Sequence, residues 1–204
     1  MDGGSSLKRA EQGFTLVEVL IAMAIGGLLL GAVISTFMMQ SKSYDVQEQM
    51  TEMVQTARAA MDMMGREVRM AGYDPTGAGV EGIPYHVAQL QVLADLRGAN
   101  PADPPDGDTD DPNENITYTY DAKNLQIDRN TGGGNQPFAE NIEAFTFIYL
   151  DGDGCPTTTT ADIRQIRVTI TARTAKPDAE YSAHGGYRTF TLASLMTPVN
   201  LVCQ

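Results

Sequence analysis

The chain is poor in the side chains that build metal or nucleophile sites. It has two cysteines and two histidines in 204 residues, too few for a convincing Cys/His zinc site. His86 and His184 sit in Gly-, Pro- or Tyr-containing surroundings, with no nucleophile motif beside either. There is no G-x-S-x-G, no P-loop and no H-E-x-x-H, so no familiar hydrolase or nucleotide-binding chemistry is signalled. Basic residues are also scarce. Fourteen Lys and Arg face 26 Asp and Glu, a net charge of −12, which excludes a general nucleic-acid binder because phosphate backbones demand clustered cations. No proline falls between residues 14 and 74, and no second long apolar run follows the first. Glycine and proline together make 30 of 204 residues, so most of the chain is not low-complexity.

What is present is concentrated at the N-terminus. Val19–Ile34 is sixteen residues without a polar side chain, and Phe14 to Gln40 carries one charge, Glu18. A helix of about 20 apolar residues spans a bilayer, so this segment can cross one. Lys8 and Arg9 precede it and place residues 1–13 on the cytoplasmic side by the positive-inside rule. A cleaved secretory signal is the competing reading, but no A-x-A-like site ends the apolar core, which runs on into polar, helix-like sequence. A carboxylate so early in a membrane helix is costly, and such groups are functional candidates by default. The competing view of Glu18 is an interfacial residue that merely snorkels. Gly27-Leu28-Leu29-Leu30-Gly31 is a G-x-x-x-G, which permits close helix approach and is weak by itself.

The run Gly13-Phe14-Thr15-Leu16-Val17-Glu18, with a short basic leader before it and the apolar run after it, resembles the class III signal of type IV pilins and type II secretion pseudopilins. The resemblance implies that a prepilin peptidase cuts after Gly13 and methylates the new N-terminal residue, Phe14. It implies that Glu18 helps dock a subunit onto a growing filament by pairing with a neighbour's N-terminal amine. The physics agrees: a carboxylate in apolar surroundings is relieved by a cationic partner, and Glu18 lies four residues beyond Phe14, on the same helix face. Arg66-Glu67-Val68-Arg69-Met70-Ala71-Gly72-Tyr73, ending a long helix, is similar to the PilW-type minor pilins and the related J-type minor pseudopilins.

The helix continues past the membrane segment. Val46, Met50, Met53, Val54, Ala57, Met61, Met64 and Val68 form one apolar stripe at the helical period. Gly72 and Pro75 stop it. A helix from Phe14 to about Ala71 has 58 residues and a length of about 87 Å. The later region predicts strands at Asn115–Tyr120 and Asn124–Arg129, joined as a hairpin through Asp121-Ala122-Lys123, then at Ile142–Leu150, Arg164–Arg173 and Tyr187–Leu195. His86–Arg97 reads as a strand or a short helix. Asn100–Glu114 holds four prolines and six acidic residues with no base and reads as an exposed loop. The fold class is therefore α+β, type IV pilin-like: a long N-terminal helix packed on an antiparallel β-sheet head. Its expected parts are a leader at 1–13, a membrane or filament-core helix at 14–40, an amphipathic continuation at 41–71 and a head at 72–204.

Cys155 and Cys203 are the only thiols. With the head expected outside the cytoplasm, and with pilins often closing a C-terminal loop this way, the resemblance favours a Cys155–Cys203 disulfide over two free thiols. Asp151 and Asp153 in a glycine turn are weak calcium candidates, as is the alternating set Asp106, Asp108 and Asp110. Neither is an EF-hand, and solvated turns are favoured, so the expectation is no metal and no cofactor. Taken together the resemblance implies a non-enzymatic structural subunit. Its implied partners are other major and minor pilins, the prepilin peptidase and the inner-membrane assembly platform. Its implied location is the bacterial inner membrane, with the head in the periplasm, and then the pilus or cell surface. The nearest rival is a minor pseudopilin of a type II secretion system; a tethered binding module is a more distant one.

Overall fold

A computed structural model describes residues 13–100 and 102–202 of the chain. Leader residues 1–12, Cys203 and Gln204 lie outside the described residues, as does Pro101. The chain divides into two units, residues 1–46 and 47–204.

Helix α1, Leu16–Met70, runs for 55 residues. In the first unit its apolar side chains are exposed: Phe14 just before it is 81% exposed, Leu28 77% and Phe37 70%. Its hydroxyls are not left unpaired. Ser35 Oγ donates to the Gly31 carbonyl and Thr36 Oγ1 to the Ala32 carbonyl, each at 2.9 Å. Such bonds to the preceding turn suit polar residues in an apolar setting.

In the second unit α1 buries Met53, Ala57, Ala60, Met61, Met64, Glu67 and Val68. The apolar stripe therefore takes effect from Met53; Met50 is 39% exposed. Gly72 ends the helix in the left-handed region at φ +73°, a conformation glycine reaches without strain.

Seven strands form two antiparallel sheets. The first has the order β1-β2-β3-β4, from Gln89–Leu93, Asn115–Asp121, Gln126–Asn130 and Gln136–Glu140. The second has the order β5-β6-β7, from Ile142–Leu150, Gln165–Arg173 and Thr189–Met196. Asn141 alone separates β4 from β5, at φ +57°, and there the chain passes from one sheet to the other.

The five strands expected from the sequence are all present. The alternation Ile166, Val168, Ile170 points wholly inward, each side chain fully buried. β3 begins two residues later than expected because the hairpin turn consumes Asn124 and Leu125. Asp121 Oδ1 accepts the Lys123 and Asn124 amides, and Leu125 takes φ +53°. One strand, β4, and the division into two sheets go beyond the sequence reading. β1 settles the choice over His86–Arg97 in favour of a strand. β4 contains Pro137 and follows Gly132, Gly133 and Gly134, a composition that signals loop; proline is admitted because β4 is an edge strand.

The core lies among α1 and the sheets: Met64, Val68, Ile83, Leu90, Tyr118, Ile127, Ile142, Ile163, Ile166 and Ile170 are essentially inaccessible. Burying each aliphatic side chain contributes about 1.5–3 kcal/mol. Aromatic side chains add to this packing. Phe145, Phe147 and Tyr149 share one face of β5 with ring centroids 5.6 Å apart, and Tyr118 meets Phe138 edge-on at 5.2 Å. Helix α2, Val199–Val202, returns to the end of α1, where Asn200 Nδ2 donates to the carbonyls of Met70 and Ala71 at 3.2 Å. That satisfies carbonyls the helix end would leave bare.

Candidate functional site

The first candidate site is the start of α1. Gly13, Phe14 and Thr15 precede the helix, non-helical and exposed, so the Gly13–Phe14 bond is accessible within the chain. Thr15 is the N-cap: the Glu18 amide donates to Thr15 Oγ1 at 3.3 Å and to the Thr15 carbonyl at 3.1 Å. Glu18 is thus the third helical residue, in the Thr-x-x-Glu spacing of a capping box. Its exposed carboxylate sits near the positive end of the helix dipole. The sequence reading assigned Glu18 to contacts between subunits and missed this local contribution. The signal was a threonine three residues before the glutamate.

The second candidate, the glycine turn after β5, closes on itself. Asp151 Oδ1 accepts the amides of Asp153 at 3.0 Å and Cys155 at 2.8 Å, and the Asp151 amide donates to the Cys155 carbonyl at 2.9 Å. That carboxylate is an internal cap, and Asp153 is exposed beside it. Cys155 is exposed, and its expected partner Cys203 lies outside the described residues.

The loop between β1 and β2 behaves differently. Asp106, Asp108 and Asp111 each offer a carboxylate oxygen within 4.8 Å of the others. The sequence reading named Asp106, Asp108 and Asp110 from their alternation. The chain turns after Asp108, and Asp111 joins the set. A hydrogen bond with Asp108, and then its like charge, raise the Asp110 carboxyl; burial, and then the charges of Asp106, Glu114 and Asp108, raise that of Asp111.

The histidines stay apart from these groups. His86 Nε2 lies 2.8 Å from Gln91 Oε1, and His184 occupies a kinked turn at φ +49°.

Among known proteins, residues 8–34 match the prokaryotic N-terminal methylation motif. No curated protein matches the chain. Among solved structures, a type IV-like pilin from Thermus thermophilus is similar at 13% identity and a TM-score of 0.43, covering 72% of this chain and 97% of that one. The methylation motif thus lies across the start of a long apolar helix, and antiparallel sheets pack on the later turns of that helix.

Proposed function

We propose that this protein is a minor type IV pilin of the PilW kind, a structural subunit in the initiation or assembly of a pilus. The carrying observation is the methylation motif set on a helix whose apolar stretch contains no buried residue. On this reading the precursor sits in the bacterial inner membrane, with Lys8 and Arg9 on the cytoplasmic side. Prepilin peptidase cuts after Gly13 and methylates Phe14. The apolar half of α1 then exchanges lipid for the helices of other major and minor pilins, delivered through the inner-membrane assembly platform. Glu18 pairs with a neighbour's amine, and the head is displayed outside. The work is packing rather than catalysis. A stretch of like charges such as Asn100–Glu114 would repel itself in a tightly repeated lattice, which favours a minor subunit over the major one.

An in-frame deletion in the native host, assayed for sheared surface pili and for secreted proteins side by side, tests this. Loss of surface pili with normal secretion is expected. Intact pili with secreted proteins trapped in the periplasm would overturn it in favour of a type II secretion pseudopilin.

A further inference from the structure

The segment from Asp95 to Glu114 collects more carboxylates than it has bases to answer them. It holds seven acidic residues and one base, Arg97. Asp106, Asp108 and Asp111 converge within 4.8 Å. Two fully buried acids stand behind them. Asp95 is 0% exposed; its Oδ2 accepts the Gly107 amide at 3.0 Å, between Asp106 and Asp108, and its Oδ1 meets no donor among the described residues. Glu114 is 1% exposed; its Oε1 accepts the amides of Leu96 and Arg97 at 2.7 and 2.8 Å, and its Oε2 has no donor. Asp111 Oδ2 is buried without a donor as well. Asp106 reaches the same place: a Cβ built on Gly98 would stand 3.3 Å from Asp106 Oδ2. Residues 95–98 thus adjoin Asp106, Gly107 and Glu114.

A carboxylate taken from water without donors is costly. Elsewhere this chain avoids that cost. Both oxygens of Asp74 are saturated by four backbone amides. In the β1–β2 loop three buried carboxylate oxygens meet no donor among the described residues, while Arg97, whose charge acts on Asp111, directs Nη2 to the Pro112 carbonyl at 3.1 Å. What fits the remainder is a cation. The donors are all oxygen, the loop is irregular and the ligand spacing is wide, which suits calcium, with its 6–8 oxygens and tolerant geometry. Magnesium demands a tight octahedron.

We propose that the β1–β2 loop binds one calcium ion, with Asp106, Asp108 and Asp111 as side-chain ligands and buried Asp95 and Glu114 anchoring the loop and adding negative charge behind the ion. The site stands on these residues alone, whatever filament the chain joins.

The test is calorimetric titration of the full chain in detergent micelles with calcium chloride at constant ionic strength, with a parallel thermal melt. One calcium per chain is expected, at or below the range of about 10⁻⁴–10⁻³ M of extracellular modules, with a higher melting temperature. Asp108→Asn with Asp111→Asn should weaken binding at least tenfold while the calcium-free circular dichroism spectrum is kept. Exposed Asp106→Asn alone, a milder change, should weaken it several-fold and covers the case where the double variant fails to fold. Asp151→Asn with Asp153→Asn should bind as the parent does. No calcium-dependent heat or melting shift would overturn the site. So would an equal response to magnesium or sodium, which is simple charge screening, or a loss that follows Asp151 and Asp153 instead.

Discussion

Glu67 of α1 and Arg129 of β3 form a charged pair inside the head. Arg129 Nη2 lies 2.6 Å and Nε 3.1 Å from Glu67 Oε1, and the two side chains are 19% and 8% exposed. The Tyr118 phenol donates to the other oxygen, Oε2, so the carboxylate is held from two strands at once. Burial and the adjoining carboxylate push the Tyr118 phenol well above its usual value, which keeps it a donor.

Removing one partner of this pair leaves a charge buried and unmatched. Glu67→Ala and Arg129→Ala should each destabilise the protein by about 3–5 kcal/mol, whereas Glu67→Leu with Arg129→Met should cost less than either. Denaturant unfolding of the full chain in micelles, followed by circular dichroism, measures this. Additive effects with no coupling between the two positions would show that the pair contributes nothing specific.

Gly72 is limited by space as well as by conformation. At φ +73° a Cβ there would stand 2.5 Å from Leu201 Cδ2. Gly72→Ala should lower stability by about 1–3 kcal/mol through overpacking and left-handed strain together. Adding Leu201→Ala should relieve the clash but not the strain, giving partial recovery relative to Leu201→Ala alone in a thermal melt. Full recovery would assign the whole effect to packing.

Asp74 organises the loop after α1 through pH-dependent bonds. Its oxygens accept the amides of Gly77, Ala78, Gly79 and Val80 at 2.7–3.2 Å. These bonds, the Gly79 amide foremost, hold the carboxyl well below the usual carboxylate range. The folded value lies under the unfolded one of about 3.9, so the stabilisation is complete above that pH and is lost only as pH falls through the folded value. Amides 77–80 should stay protected from hydrogen exchange at pH about 4. In Asp74→Asn they should exchange faster at neutral pH and lose the acid dependence. Equal protection in both proteins would rule out the carboxylate as the organiser.

Much of this was legible from local pattern. Helix α1 follows from an uninterrupted apolar run, a 3.6-residue stripe and a glycine stop, all of which act within a few residues. Strand β5 follows from a run of β-branched and aromatic residues, and β6 from period-two alternation. β4 was not legible: Gln136-Pro137-Phe138-Ala139-Glu140 becomes a strand because β3, just before it across a glycine-rich turn, offers it an edge, which its own composition does not signal. The buried face of α1 held a similar surprise. Glu67 reads as one more polar position beside the stripe until Arg129, 62 residues on, arrives to pair with it.

The candidate sites divide in the same way. Gly13, Phe14 and Glu18 fall within six residues, so the methylation motif and the apolar span were determined by order along the chain, by the sequence itself. Which carboxylates share a site was decided only by tertiary structure. Spacing put Asp106, Asp108 and Asp110 together. The folded loop gathers Asp106, Asp108 and Asp111 over Asp95 and Glu114, because the Gly107, Leu96 and Arg97 amides dock it onto the end of β1. Charge is visible in composition, but whether a charge is answered depends on which donors the fold brings within about 3 Å, and that is a property of the packed chain.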